Sequence, residues 1–183
     1  MSHRHTLTGL GAGLLALGGA GALAPPAYAT VYLTVEQAQA AMFPGASLAP
    51  DFRTLTDPQA AAIQKQSGER VANRQVKVWK VSTGGWFFVD QVVGKHEFIT
   101  FAVGLDAAGA VKQVEILDYR ESYGDQVRGT AWRAQFIGKR ANAPVKLGAD
   151  IKNISGATLS SKHVTDGVRR LLATHALVLG PSV

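Results

Sequence analysis

Val76-Lys77-Val78-Trp79-Lys80-Val81 alternates apolar and basic side chains, the period-two pattern of a half-buried strand. Gly84-Gly85 then supplies a turn, and Trp86 to Val93 and Phe98 to Leu105 are apolar runs of strand length. Asp106-Ala107-Ala108-Gly109 is a second turn, and Val111 to Tyr119 is the returning strand of a hairpin. Trp86, Phe87, Phe88 and Phe101 within these runs read as core.

Helical signals flank this meander. Thr34-Val35-Glu36-Gln37 has the form of a capping box, with Val35, Ala38 and Met42 at helical spacing before Pro44. A second helix is expected from Pro58 to Lys65, capped by Thr56 or Asp57 and stopped by Gly68. Ala131, Trp132, Gln135 and Phe136 predict a short helix ending at Gly138, followed by a polar loop from Lys139 to Asp150. Val164, Val168, Leu171, Leu172 and His175 form one stripe of a last helix, with Lys162, Asp166, Arg169 and Arg170 mostly off it. The order helices, meander, helices predicts an α+β fold: an antiparallel sheet flanked by helices, with an amphipathic helix at the C-terminal end.

The first residues read differently. A short basic start, an apolar run from Leu7 to Ala24 and the ending Ala27-Tyr28-Ala29 are the three parts of a secretory signal peptide. Six glycines between Gly9 and Gly21 make the run a poor spanning helix, which favours cleavage near Ala29 over retention as a membrane anchor. The expected organisation is therefore 1–29 signal peptide, 30–75 N-terminal helical segment and a domain over 76–183. Periplasmic localisation follows as an expectation, with membrane association as its variant.

Composition removes several kinds of chemistry. The 183 residues include no cysteine, which excludes disulfides, thiolate metal sites and thiol catalysis. His96, His163 and His175 lack metal-ligand spacing, so no metal site is expected. The formal charge of +6 falls to +5 without the signal, because Arg4 is the single charged residue removed. That charge favours acidic partners or an anionic surface, yet the basic residues are scattered, so nucleic acid is not indicated.

Chemistry concentrates in Ile154-Ser155-Gly156-Ala157-Thr158-Leu159-Ser160-Ser161. A small-residue turn entering a helix is a natural anion seat, with free backbone N–H groups and the helix dipole facing the ligand. Gly156 and Ala157 allow a phosphate to approach the backbone, and Ser155, Ser160 and Ser161 offer hydroxyls. The same residues also make an ordinary N-cap, and local physics leaves both readings open.

Ser155-Gly156-Ala157-Thr158-x-Ser160 resembles the signature of the FMN-binding domain family. Members include the flavin-bearing C subunit of the sodium-pumping NADH:quinone oxidoreductase and the G subunit of the Rnf complex. Tyr119-Arg120-Glu121-Ser122-Tyr123-Gly124, Trp132 and Phe136-Ile137-Gly138-Lys139 are similar to further stretches of the family, and the resemblance covers Gly84 to Leu179. It implies one FMN joined through a phosphoester to Thr158 by a flavin transferase that uses FAD and magnesium. It further implies cofactor contacts from Ser155, Gly156, Ala157, Leu159, Ser160, Glu121, Gly124 and Trp132, with no catalytic residue of the protein's own. Arg128 and Lys162 are candidate phosphate partners. One position departs from the family: an Asp usual three residues before the first Ser is Lys152 here, with Asp150 and Asn153 out of register.

The resemblance implies an electron-transfer flavoprotein of the cell envelope rather than a stand-alone enzyme, working with a redox partner protein or a membrane electron-transfer complex. The rival expectation is a flavin-free exported binding module, in which the turn caps a helix or binds another phosphate ligand.

Overall fold

The computed structural model describes residues 30–180, so the expected signal peptide lies outside the described residues. The chain runs β1 (Thr30–Val31), α1 (Val35–Met42), β2 (Leu48–Pro50), β3 (Arg53–Thr54), α2 (Asp57–Ser67), β4 (Gln75–Val81), β5 (Trp86–Val93), β6 (Phe98–Leu105) and β7 (Val111–Tyr119). A 3₁₀ turn (Asp125–Arg128), α3 (Thr130–Arg133), another 3₁₀ turn and the long α4 (Thr158–Thr174) follow, and α4 ends in a π turn (His175–Leu179). The architecture is α+β, as expected.

The sheet is antiparallel with order β1-β7-β6-β5-β4-β2, and β3 pairs with β4. Segment 30–75 thus contributes three short strands to the sheet edges in addition to its two helices. Both helices begin as their residues dictate. Thr34 with Gln37, and Thr56 with Gln59, form reciprocal capping boxes that satisfy the first free N–H groups.

The sheet is covered on both faces. Trp86 and Phe88 of β5 point into the larger core with Phe101 of β6 and with Val164, Val168 and Leu172 of α4. Phe87 and Val89 point the other way, onto Ala38, Met42 and Phe43 at α1. Burial on both faces explains why β5 opens as an unbroken apolar run rather than an alternating one. Arg169 ties the layers on the α4 side together: Nε donates to Ser67 O (2.7 Å), Nη1 to Val145 O (2.7 Å), and Nη2 pairs with Glu69 and with Asp166 (2.9 Å). Asp166 is buried within this network, paired with Lys162 and Arg169.

A β-bulge sets the geometry needed at the site. Thr100 pairs with Asp118, but Phe101 pairs with Ile116, which leaves Leu117 as the extra residue of β7. Side chains three apart, Ile116 and Tyr119, therefore face the same core, while Leu117 faces α1. Without the bulge, Tyr119 would lie on the sheet face away from α4.

Candidate site at the start of helix α4

The turn Ile154–Ala157 is closed by a hydrogen bond from Ala157 N to Ile154 O (3.0 Å), and Gly156 takes the left-handed φ of +83°. Ala157 occupies the N-cap position of the 17-residue helix α4, and no side chain caps it. Ser160 and Ser161 do not fill that role. The Ser160 hydroxyl lies 2.8 Å from the Tyr119 phenol, and the buried Ser161 hydroxyl has no partner among the described residues. Free N–H groups at an uncapped helix start are the groups that an anion satisfies.

A cavity of about 410 Å³ opens beside this turn. Gly156, Ala157, Thr158, Leu159 and Ser160 form one wall, and Lys95, His96, Glu121, Ser122 and Tyr123 form the other. The expected residues Thr158, Gly156, Ala157, Leu159, Ser160 and Glu121 are thus brought together. Ser155 is exposed outside the lining. Trp132 is buried away from the cavity, where its indole N–H donates to Lys152 O (2.8 Å) and its ring packs edge-on to Phe136. Gly124 is a packing position: a Cβ there would lie 2.7 Å from the Tyr119 hydroxyl and 2.8 Å from Ser160 Oγ. Of the two cationic candidates, Arg128 stacks over the Tyr32 ring at 3.3 Å and Lys162 pairs with Asp166 at 2.6 Å; neither lines the cavity.

Tyr119 governs the wall beneath Thr158. Its hydroxyl also lies 2.5 Å from Tyr123 O, and a carbonyl accepts only, so the single phenolic proton goes to Tyr123. Ser160 must then donate to the phenol oxygen, so its proton points inward rather than to the cavity. Burial pushes the Tyr119 phenol above its ordinary value, although the Ser160 bond opposes this, and the donor stays protonated at neutral pH.

Glu121 organises the opposite wall. One carboxylate oxygen accepts from the backbone N–H groups of Lys95, His96 and Glu97, at 2.9 Å for the last. Burial pushes this carboxyl up, but the three N–H donors from Glu97, His96 and Lys95 outweigh it and hold the group below the ordinary carboxylate range. The approach depends on Gly94, where a Cβ would fall 2.7 Å from Glu121 Oε1. Glu121 therefore ties the tip of the β5–β6 hairpin to the end of β7.

Thr158 is exposed at the cavity, and its Oγ1 accepts a hydrogen bond from Asn153 Nδ2 (3.0 Å). Asp150 faces elsewhere: it accepts from Lys139 Nζ (2.7 Å), Val145 N (3.1 Å) and Lys146 N (2.7 Å). Sequence reasoning missed Lys95, His96, Tyr119, Tyr123, Gln135 and Asn153. Gly94 ahead of a charged hairpin tip was the available signal for the first two, and the Tyr119–Gly124 stretch for the tyrosines; Gln135 acts across 17 residues, and Asn153 through a local turn whose side-chain geometry no sequence pattern shows.

A larger concavity, about 630 Å³, lies where β5 runs on beyond its pairing with β4 and is roofed by α4. It contains none of the Ser155–Ser161 turn. His163 lies on its lining and donates from Nδ1 to Val93 O (2.6 Å) and Gly94 O (2.9 Å), both acceptors. The smaller cavity is the candidate site because the exposed Thr158 hydroxyl and the uncapped helix start are there.

Residues 94–173 match the family model described as FMN-binding domain. The match begins at the Gly94 hairpin tip, includes both walls of the cavity and ends at Ala173, within α4. No curated protein matches the chain at a significant level. FMN is thus the cofactor of this domain, and the residues present fit it. An uncapped helix start suits the phosphate, Gly156 leaves open space for it, and a cavity of about 410 Å³ falls in the ligand-sized range.

Proposed function

We propose that the protein is an exported electron-transfer flavoprotein carrying one FMN through a phosphoester to Thr158. The observation that carries this reading is the exposed Thr158 hydroxyl, set at an uncapped helix start and at the mouth of a cavity inside the FMN-binding domain. Thr158 supplies the acceptor oxygen, and the free N–H groups of the first turn of α4 receive the phosphate. Tyr119 and Ser160 fix that turn from below. Glu121 holds the hairpin tip that carries Lys95 and His96 along the opposite wall, where the positive charge of Lys95 lies beside the anionic cofactor. When bound, FMN supplies one- and two-electron redox chemistry of its own.

A flavin transferase using FAD and magnesium makes the bond after export, with the signal peptide cleaved near Ala29. Electrons then pass to or from a redox partner protein or a membrane electron-transfer complex in the periplasm. A covalent tether suits that compartment, because a cofactor held only by contacts is lost by dilution. Among the described residues no helix is long and apolar enough to cross a membrane. The test is denaturing-gel fluorescence of wild type and Thr158→Ala, each made with the transferase. Fluorescence in wild type alone supports the reading; equal fluorescence in both overturns the assignment to Thr158.

A further inference from the structure

We infer that Asn153 is the positioning residue for attachment of flavin at Thr158. The inference rests on the covalent reading above. Asn153 Nδ2 donates to Thr158 Oγ1 at 3.0 Å, and the turn closed by Ala157 N and Ile154 O brings the two side chains together across five residues. An exposed hydrogen bond between two free side chains would be weak, since ordering them costs conformational entropy. Here the preceding residue is already fixed from both sides. Trp132 Nε1 donates to Lys152 O (2.8 Å), and Lys152 N donates to Gln135 Oε1 (2.8 Å). The Lys152 side chain itself is exposed and makes no hydrogen bond or ion pair among the described residues. The α3 region thus clamps the backbone at 152 and delivers the amide of 153 to the acceptor hydroxyl.

The chemistry explains why an amide suits this place. In the transfer, the Thr158 Oγ–phosphorus bond forms as the phosphoanhydride bond of FAD breaks. AMP leaves with the bonding electron pair, and the hydroxyl proton passes to a base of the transferase; nothing is oxidised or reduced. Asn153 occupies one lone pair of Oγ1 and fixes the Thr158 rotamer, leaving the other lone pair and the O–H directed outward. A near-attack geometry of this kind is worth more than the bond's own stability. The amide is also neutral, so it remains beside the negative phosphoryl group without repulsion, as an ionised carboxylate could not.

The experiment measures the initial rate of flavin incorporation by intact mass, with purified transferase, FAD and magnesium fixed and the acceptor protein varied. Asn153→Asp is isosteric and loses the donor; Asn153→Ala loses the side chain; Lys152→Ala is the neighbouring control. Both Asn153 variants should lower kcat by about tenfold with KM for the acceptor nearly unchanged, while Lys152→Ala stays within about twofold of wild type. Equal rates for Asn153→Asp and wild type, an equal fall in Lys152→Ala, or a loss confined to KM would overturn the inference. A wild-type chain that takes up no flavin removes the covalent reading and Asn153's role together, whereas a modified wild type with insensitive Asn153 variants removes the latter alone.

Discussion

The phenol of Tyr119 lies 2.8 Å from the hydroxyl of Ser160, and through this contact the end of β7 sets the first turn of α4. The bulge at Leu117 turns Tyr119 to that face, so a register detail of the sheet fixes where Thr158 stands. Tyr119→Phe leaves the Ser160 hydroxyl, 4% exposed, without its partner. The variant should lose about 1 kcal/mol in urea denaturation, with an unchanged m-value.

Glu121 and Gly94 form a second coupled pair. Gly94→Ala places a methyl group 2.7 Å from Glu121 Oε1 and must displace the carboxylate from the three N–H groups of the hairpin tip. Amide exchange at Lys95, His96 and Glu97 should accelerate by at least about tenfold, with exchange in β6 and β7 unaffected. Glu121→Gln should show the same pattern with a smaller effect, because a neutral carbonyl accepts less strongly than a carboxylate.

Most of the frame was legible in the residues because it rests on local rules. Thr34 with Gln37, and Thr56 or Asp57 ahead of Pro58, announced two helix starts, and the stripe from Val164 to His175 announced α4. The meander followed from its turns. Tyr119 was not legible as a site residue, because a bulge breaks the period on which strand faces are read. Trp132 was expected at the cofactor and instead clamps Lys152, since an aromatic residue near a motif carries no sign of which way it packs. Thr158 was named by the resemblance to the FMN-binding domain family; the small residues and helix start around it left an anion seat and an ordinary N-cap both open.

Trp132→Phe isolates that clamp. The ring packing on Phe136 survives, but the hydrogen bond to Lys152 O is lost. Stability should fall by about 1 kcal/mol, and flavin incorporation should slow in the same direction as for the Asn153 variants. A slowed transfer at full stability would likewise place Trp132 in the acceptor geometry; a stability loss with unchanged transfer would confine it to packing.

His175 is a buried ring whose protonation opposes folding. Burial lowers its pKa below the ordinary 6.5, outweighing the opposing influence of its backbone environment near Gly180 and of Asp106. The unfolded chain therefore binds the proton first. Stability from the neutral ring is fully present above pH 6.5 and declines as pH falls toward the folded-state value. Urea midpoints measured from pH 7.5 to 5 should fall for wild type, and the slope should be shallower in His175→Phe.

The proposed function stands on the acceptance of one FMN at Thr158. Intact mass of the exported wild-type protein made with a flavin transferase, followed by peptide mapping, tests it most directly. A gain of one FMN less water on the peptide containing Thr158 is the predicted result. An unmodified mass, or the same gain on a different residue, would contradict it.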